Sequence, residues 1–405
     1  MGGKLRIGRR ESSWDNAPKE GEQRVVEVGG SGPGVFWSGH FTDYSGYAKA
    51  NREVMFRVAN SLSVKLLTTG LEEGLIQVDP YTRRKVEVHR HVRVAQDSPL
   101  LRFFGPDYQP REQGYKIVWT MMESYKIHHQ MVAMVNSYDE LWTPTDWNRR
   151  VFVESGVRCK TRVMPLGVNS LIYRKKSGAK LPPCIKITGQ NAGKKDIPSG
   201  FVFLSVGLPS FRKGFDVLAE AFDLAFGNRS DVHLVFGITH SIPEWNRKLY
   251  KQFSGRKTSI WTLEGRYDEH EMATIYSAVN CYASASRGEG WNLPVCEAAA
   301  CGVPVIVPNN TSHPEVVGGA AWTFDTEGTK IDPEGNTVSP WYEGVPFSVL
   351  GKRSVEHLSE LMKLVANGGE AVDRRAAALQ NLMTERWSWD SVAASVTERL
   401  LEVQP

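Results

Sequence analysis

From residue 34 onwards the chain alternates two patterns. Short runs of apolar, β-branched and aromatic residues give way to longer stretches in which apolar positions return every three or four residues. A short unbroken apolar run fits a strand covered on both faces, and the longer period fits a helix with one buried face. Their alternation predicts βαβ units and parallel sheets, an α/β chain. In the first half, Gly34–Ser38, Tyr115–Thr120, Glu140–Thr143 and Thr161–Met164 read as strands and residues 48–59 as a helix. In the second half the strands are Phe201–Val206, His233–Gly237, Cys281–Ser284 and Val303–Val307, with helices at 215–226, 270–278 and 294–300. Three more helices are expected at 354–367, 371–384 and 390–403.

The stretch 173–200 breaks the pattern. It holds three prolines, four glycines and seven lysines or arginines without sustained periodicity, and reads as a linker. With 405 residues the chain exceeds one typical core. The division that follows is a polar extension (1–30), a Rossmann-like unit (31–172), the linker, a second Rossmann-like unit (201–385) and a C-terminal helical segment (386–405) that packs back on the first unit. Open parallel sheets bind ligands beyond the carboxyl ends of their strands, so two doubly wound sheets placed face to face hold a site in the cleft between them.

Composition changes this picture little. Hydrophobic residues at 41% and charged residues at 23% are those of a soluble globular protein, and no apolar run is long enough to span a bilayer. The first thirty residues lack the apolar core of a secretory signal. Five cysteines without CxxC spacing read as reduced thiols and place the chain in the cytoplasm, which makes the sequons at Asn228 and Asn310 chance matches. Charge is more informative. Residues 1–200 carry 31 Lys+Arg against 20 Asp+Glu, or +11, and the totals of 49 and 45 leave 18 against 25, or −7, for the remainder. The first unit is thus expected to face something anionic, through basic groups at 83–85, 149–150, 158–162 and 174–176.

Chemistry concentrates in Ser286-Arg-Gly-Glu-Gly-Trp-Asn-Leu-Pro-Val-Cys-Glu297, just after a strand. Gly288 and Gly290 let the backbone turn and approach a ligand. Pro294 suits the first turn of a helix, whose free N–H groups and partial positive charge seat a phosphate. Glu289 and Glu297 beside that seat would repel a phosphate unless the ligand also offers hydroxyls, and a sugar nucleotide offers both. A second strand, turn and helix start, Val206-Gly-Leu-Pro-Ser-Phe-Arg-Lys-Gly-Phe215, supplies Arg212 and Lys213 as phosphate donors. No two aspartates sit two apart, no Cys/His group has zinc spacing, and no Gly-x-x-x-x-Gly-Lys-Ser/Thr loop occurs. No metal is therefore expected, and diphosphate charge falls to Arg212, Lys213 and a helix terminus.

Glu289, seven residues, then Glu297, followed by Cys301-Gly-Val-Pro-Val-Ile306, resembles the signature of retaining glycosyltransferases of family 4. The resemblance runs over roughly residues 34–403, taking in His40-Phe-Thr-Asp-Tyr-Ser-Gly-Tyr-Ala-Lys49, Pro165-Leu-Gly-Val-Asn169 and Trp387-Ser-Trp-Asp390. It implies the GT-B fold: two Rossmann-like doubly wound domains facing a cleft, with a UDP- or GDP-linked sugar held mainly by the second. On this reading Gly46, Arg212, Lys213, Arg266, Glu289, Gly290, Trp291, Asn292, Leu293 and Glu297 bind the donor. Tyr44, Tyr47 and Glu123 lie on the acceptor side, and Glu289, Arg212, Lys213 and Glu123 carry the catalysis. This chain departs from the family in having Leu208 where an Arg often stands, one glycine where the Gly46 loop often has two, and Glu123 near the place of a sugar-binding histidine. Glu123 either binds a sugar or acceptor hydroxyl or caps the next helix.

The resemblance further implies retention by same-face attack, in which the leaving diphosphate takes the acceptor proton. The expected acceptor is a glycan or lipid-linked glycan, with peripheral membrane contact. Two alternatives stay open: transfer to a modified base in nucleic acid, and a sugar-nucleotide-binding module that has lost catalysis.

Overall fold

The computed structural model describes residues 32–67, 78–105, 113–188, 192–193, 196–227, 229–238, 243–331 and 340–405. The extension expected at 1–30 lies outside them. The first unit contains β1 (Gly34–Gly39), α1 (Gly46–Val58), β2 (Ser63–Leu67), α2 (Pro80–His89), β3 (Leu100–Phe103), β4 (Lys116–Trp119), α3 (His129–Val135), β5 (Glu140–Thr143), α4 (Asp146–Glu154) and β6 (Lys160–Val163). Its strands lie in the order β2-β1-β3-β4-β5-β6, every pair parallel. All six residues of β1 are buried, because parallel strands are covered on both faces.

The second unit contains β7 (Ile185–Lys186), β8 (Phe201–Val206), α5 (Phe215–Phe226), β9 (Val232–Ile238), α6 (Pro243–Phe253), β10 (Ile260–Glu264), α7 (Glu269–Ser277), β11 (Cys281–Ala283), α8 (Leu293–Ala300), β12 (Val305–Pro308), α9 (His313–Val317), β13 (Trp322–Phe324), β14 (Thr329–Ile331) and β15 (Pro346–Ser348). Helices α10 (Lys352–Asn367), α11 (Glu370–Glu385) and α12 (Trp389–Glu402) complete the chain. The second sheet runs β13-β12-β11-β8-β9-β10-β7, and β14 and β15 form a separate antiparallel hairpin. Strand order reverses between β8 and β11, and in the first sheet between β1 and β3. At such reversals the loops diverge to opposite faces and leave a crevice beyond the strand ends.

Three differences from the sequence reading have physical causes. Strands β2 and β3 escaped it because each is short, and β2 is only half-buried along its length, while helix α2 buries only Val86 and so shows no apolar period. The stretch expected as a linker carries β7, which pairs antiparallel with β10 and protects an edge that would otherwise be open. In the same stretch Tyr173 and Cys184 are fully buried. Helix α7 begins at Glu269 because Asp268 and Glu271 form a reciprocal capping box.

Helix α12 crosses back and packs against α1 of the first unit. Its crossing is fixed where Val168 N donates to Trp387 O at 2.7 Å, and further along Arg399 grips the Glu140 carboxylate, which is 2% exposed. All five cysteines are free, and four of them are buried. Among the described residues no helix is long and apolar enough to cross a membrane.

Candidate active site

The loops after β8 and β11 meet at the strand-order reversal. Residues 211–213 form one turn of 3-10 helix, closed by Gly214 with φ of 62°. A Cβ at Gly214 would stand 1.9 Å from the carbonyl oxygen of Ala285, so only glycine permits this approach. Arg287 ties the two loops together: its guanidinium takes both oxygens of Asp216 at 3.0 and 2.7 Å, and its backbone N–H donates to Arg212 O at 2.7 Å. Arg212 Nη1 in turn donates to Gly288 O at 2.8 Å.

Glu289 is held at the centre and is 4% exposed. Arg212 Nη1 donates to its Oε2 at 2.9 Å and Lys213 Nζ to its Oε1 at 2.6 Å. Burial pushes this carboxyl upward, but Lys213 and Arg212 outweigh burial and bring it down to about 2. Burial pulls Lys213 below its ordinary value against the opposing pull of Glu289. The three groups form a compact ion cluster at the end of the sheet, with Glu289 buried, Arg212 and Lys213 partly exposed, and Arg212 also 3.7 Å from Glu123.

A third segment, Asn310–His313 after β12, braces this loop and was not read from sequence. Ser312 Oγ donates to Glu289 O at 2.7 Å, and Glu289 N donates to Thr311 Oγ1 at 3.1 Å. Asn310 Nδ2 donates to Ser286 O at 3.0 Å. Asn310 is 3% exposed, so its sequon is sealed in the interior. Thr311 and Asn292 both adopt positive φ, 47° and 78°. Asn292 Nδ2 lies 3.0 Å from His313 Nε2, and His313 Nδ1 lies 2.9 Å from Asn310 Oδ1. An amide nitrogen only donates, so the ring accepts at Nε2 and carries its proton on Nδ1, a neutral imidazole. The signal that would have found these residues is positional: a polar cluster at the carboxyl end of a parallel strand beside the reversal.

Burial lowers His313 to about 4 from 6.5, and Glu289 only partly opposes this. The unfolded chain therefore takes up a proton near pH 6.5 that the folded chain refuses until about pH 4. This contribution to stability is complete above pH 6.5 and is lost as pH falls towards 4, by about 2 kcal/mol at pH 4.5. Glu289, depressed in the fold, loses its contribution only below its unfolded value, whereas His89 and His233, also lowered by burial, add to the fall between pH 6.5 and 4.5, so the share of His313 is read from its variant. His313→Gln is expected to flatten the fall in melting temperature across that window, and an unchanged slope would refute this assignment.

The first unit closes on this cluster from several directions. A Cβ on Gly288 would stand 1.7 Å from Glu123 O, and one on Gly290 2.5 Å from Met121 Cγ. Asn148 Nδ2 donates to Gly290 O at 3.1 Å. Glu315 of the second unit accepts from the N–H groups of Asp146 and Trp147, capping α4 across the divide. Gly46, at the start of α1, approaches Leu293 at the start of α8, with 3.5 Å between a Cβ built there and Leu293 Cδ1. Arg266 and Tyr44 also meet, with the guanidinium 5.8 Å from the ring centre.

Several expected site residues have specific partners. Glu297 accepts from Lys49 Nζ at 2.6 Å and Tyr276 OH at 3.0 Å, and Lys49 also reaches Tyr173 OH at 2.6 Å and Glu269 at 2.8 Å. Sequence reasoning missed Lys49. Trp291 packs in the interior, 2% exposed and edge-on to Trp387 at 5.1 Å. Tyr47 OH lies 3.5 Å from Thr120 Oγ1 beside Phe103 and Phe104. Glu123 does not cap a helix: α3 starts at His129 and is capped by the His128 ring, which accepts from Gln130 N at 3.3 Å. The Glu123 carboxylate faces Arg212 and the hydroxyl of Tyr342, a residue that sequence reasoning also missed. Among the described residues no group of three His, Cys, Asp or Glu side chains is placed to hold a metal ion.

Residues 200–333 match the profile of a family described as Glycosyl transferases group 1. The O-antigen chain mannosyltransferase B of Escherichia coli is 41% identical over 61 residues, and that match spans 15% of this chain and 16% of the enterobacterial protein. HepE from Anabaena, solved with UDP and glucose, superposes with a TM-score of 0.64 at 12% identity over 92% of this chain and 100% of its own. Sucrose-phosphate synthase from Thermosynechococcus elongatus superposes with a TM-score of 0.61 at 11% identity over 92% of this chain and 99% of its own. These superpositions, with the two facing parallel sheets, establish that the chain has the GT-B fold.

Proposed function

We propose that this chain is a nucleotide-sugar-dependent glycosyltransferase that moves a sugar from a UDP- or GDP-linked donor to an acceptor hydroxyl with retention at the anomeric carbon. The observation that carries the reading is the Glu289–Arg212–Lys213 cluster at the strand reversal, beside the N-terminus of α8. Cations and a helix terminus suit a diphosphate, and a buried carboxylate among them suits sugar hydroxyls. Arg212 Nε and Asn292 Oδ1 are buried there without a partner inside the protein.

In this reading Arg212 and Lys213 turn from Glu289 towards the donor diphosphate and neutralise charge as the leaving group departs, without a metal. Glu289 orients the hydroxyls of the transferred sugar, Glu297 holds the ribose after parting from Lys49, and Arg266 lies against the base. The acceptor hydroxyl enters past Tyr44 and Tyr47 towards Glu123, attacks from the face the diphosphate leaves, and yields its proton to that diphosphate. Incubation with UDP-glucose, UDP-N-acetylglucosamine, GDP-mannose and their relatives tests the reading. Release of nucleoside diphosphate from at least one donor supports it, and binding without turnover of any of them overturns it.

For the acceptor we favour an anionic lipid-linked glycan. Arg83, Arg84 and Lys85 lie exposed on α2 and give the first unit a basic surface. Retention on phosphatidylglycerol vesicles at low salt, fading as salt screens the charges, is expected. Equal binding to phosphatidylcholine vesicles, or salt-sensitive binding to duplex DNA alone, would refute the lipid assignment.

A further inference from the structure

Resting on the transferase reading, we infer that Tyr342 is a positioning residue whose phenol occupies Glu123 until an acceptor arrives, and so limits transfer of the sugar to water. Tyr342 lies beyond residues 200–333, outside the part of the chain that matches the family profile. It stands between β14 and β15, and this hairpin segment of the second unit is fastened on both sides of the divide. Tyr125 N of the first unit donates to Pro346 O at 3.0 Å, and the Tyr125 hydroxyl lies 3.0 Å from Ser348 Oγ. Ser348 N donates to Arg287 O at 3.1 Å, tying the same arm to the loop that carries Glu289. The Tyr342 ring packs against Phe347, with 5.5 Å between centres.

From this support the phenol donates to Glu123 Oε2, while Glu123 Oε1 lies 3.7 Å from Arg212 Nη2. Arg212 reaches Glu289 through its other terminal nitrogen at 2.9 Å. Tyr342, Glu123, Arg212 and Glu289 thus form one chain in which two carboxylates share a guanidinium. Burial, reinforced by Glu123, holds the phenol well above its ordinary pKa, so it remains a donor. An acceptor hydroxyl approaching Glu123 would make the same hydrogen bond that Tyr342 makes. A large acceptor, bound by its own contacts, can displace the phenol; a single water gains too little by doing so. In the reaction that is held back, a water oxygen bonds the anomeric carbon, the bond from that carbon to the distal phosphate oxygen breaks, and the water proton ends on the diphosphate.

The test measures sugar release without acceptor, using whichever of UDP-glucose, UDP-N-acetylglucosamine and GDP-mannose the wild-type protein hydrolyses fastest. Tyr342→Phe is expected to raise that rate about tenfold, the equivalent of one hydrogen bond to a charged group, with donor KM unchanged. Glu123→Gln lowers the rate, and adding Tyr342→Phe to Glu123→Gln brings no rise. A merely structural tyrosine predicts the opposite, a fall in rate with a lower melting temperature. A folded Tyr342→Phe with unchanged or reduced hydrolysis overturns the inference. Should that variant not melt cooperatively, Glu123→Gln alone decides, because hydrolysis at the wild-type rate in it overturns the inference equally. Hydrolysis of none of the donors by either the wild-type chain or folded Tyr342→Phe overturns the transferase reading and this inference with it.

Discussion

Glu289→Ala is expected to lower donor turnover on the order of 10²–10³-fold, the scale on which preorganised charge at a reaction centre acts. The loss has two components. Arg212 and Lys213 are left without the carboxylate that each now touches, at 2.9 and 2.6 Å. Lys213, already pulled down by burial, then loses the charge that opposes this, and its pKa drops further. Donor affinity in the variant should therefore begin to fall at a lower pH than in the wild type. Steady-state rates and donor KM from pH 6 to 9, with a melting curve at each pH, separate charge loss from unfolding. Turnover within about tenfold of wild type would remove Glu289 from the chemistry.

The largest effect on stability is expected far from that cluster. Arg399 brings three nitrogen contacts to Glu140, at 3.3, 3.2 and 2.5 Å, and that carboxylate otherwise relies on Trp142, Tyr115 and a longer contact from Arg162. Arg399→Ala strands a buried charge and should cost about 3–5 kcal/mol, whereas changing both partners, as Glu140→Gln with Arg399→Met, should cost much less. Urea melts of the single and double variants measure the difference. A single variant as stable as wild type would mean that α12 is held by its apolar face alone.

How much was legible follows from where each signal lives. The 286–297 loop announces itself because glycines, a helix-starting proline and two carboxylates sit in one short segment after a strand. Arg212 and Lys213 were legible for the same reason. Lys49 and Tyr342 were not, because each acts on a group more than 200 positions away, and nothing in the local pattern around either names a partner. Asn310–His313 lay between these cases: the segment is polar and follows a strand, but a sequon-like triplet reads more readily as surface than as a sealed network. The strands missed in the first sheet, β2 and β3, are short ones whose shape is imposed by neighbours, so propensity alone could not announce them, and α2 buries only Val86 and offers no apolar period to read. Glu123 stayed ambiguous because helix capping and cleft exposure demand the same residue type, and only the start of α3 at His129 separates them.

The return of α12 to the first unit sets an order of events during synthesis. Trp389, Val392, Ala393, Val396 and Leu400 bury themselves on the unit that was translated first. While the second sheet is still emerging from the ribosome, the first must wait with α1 partly uncovered and the buried face of Glu140 lacking its main cation. The first unit is thus finished after the second, and a nascent chain paused before residue 389 presents an apolar groove that folding helpers can recognise.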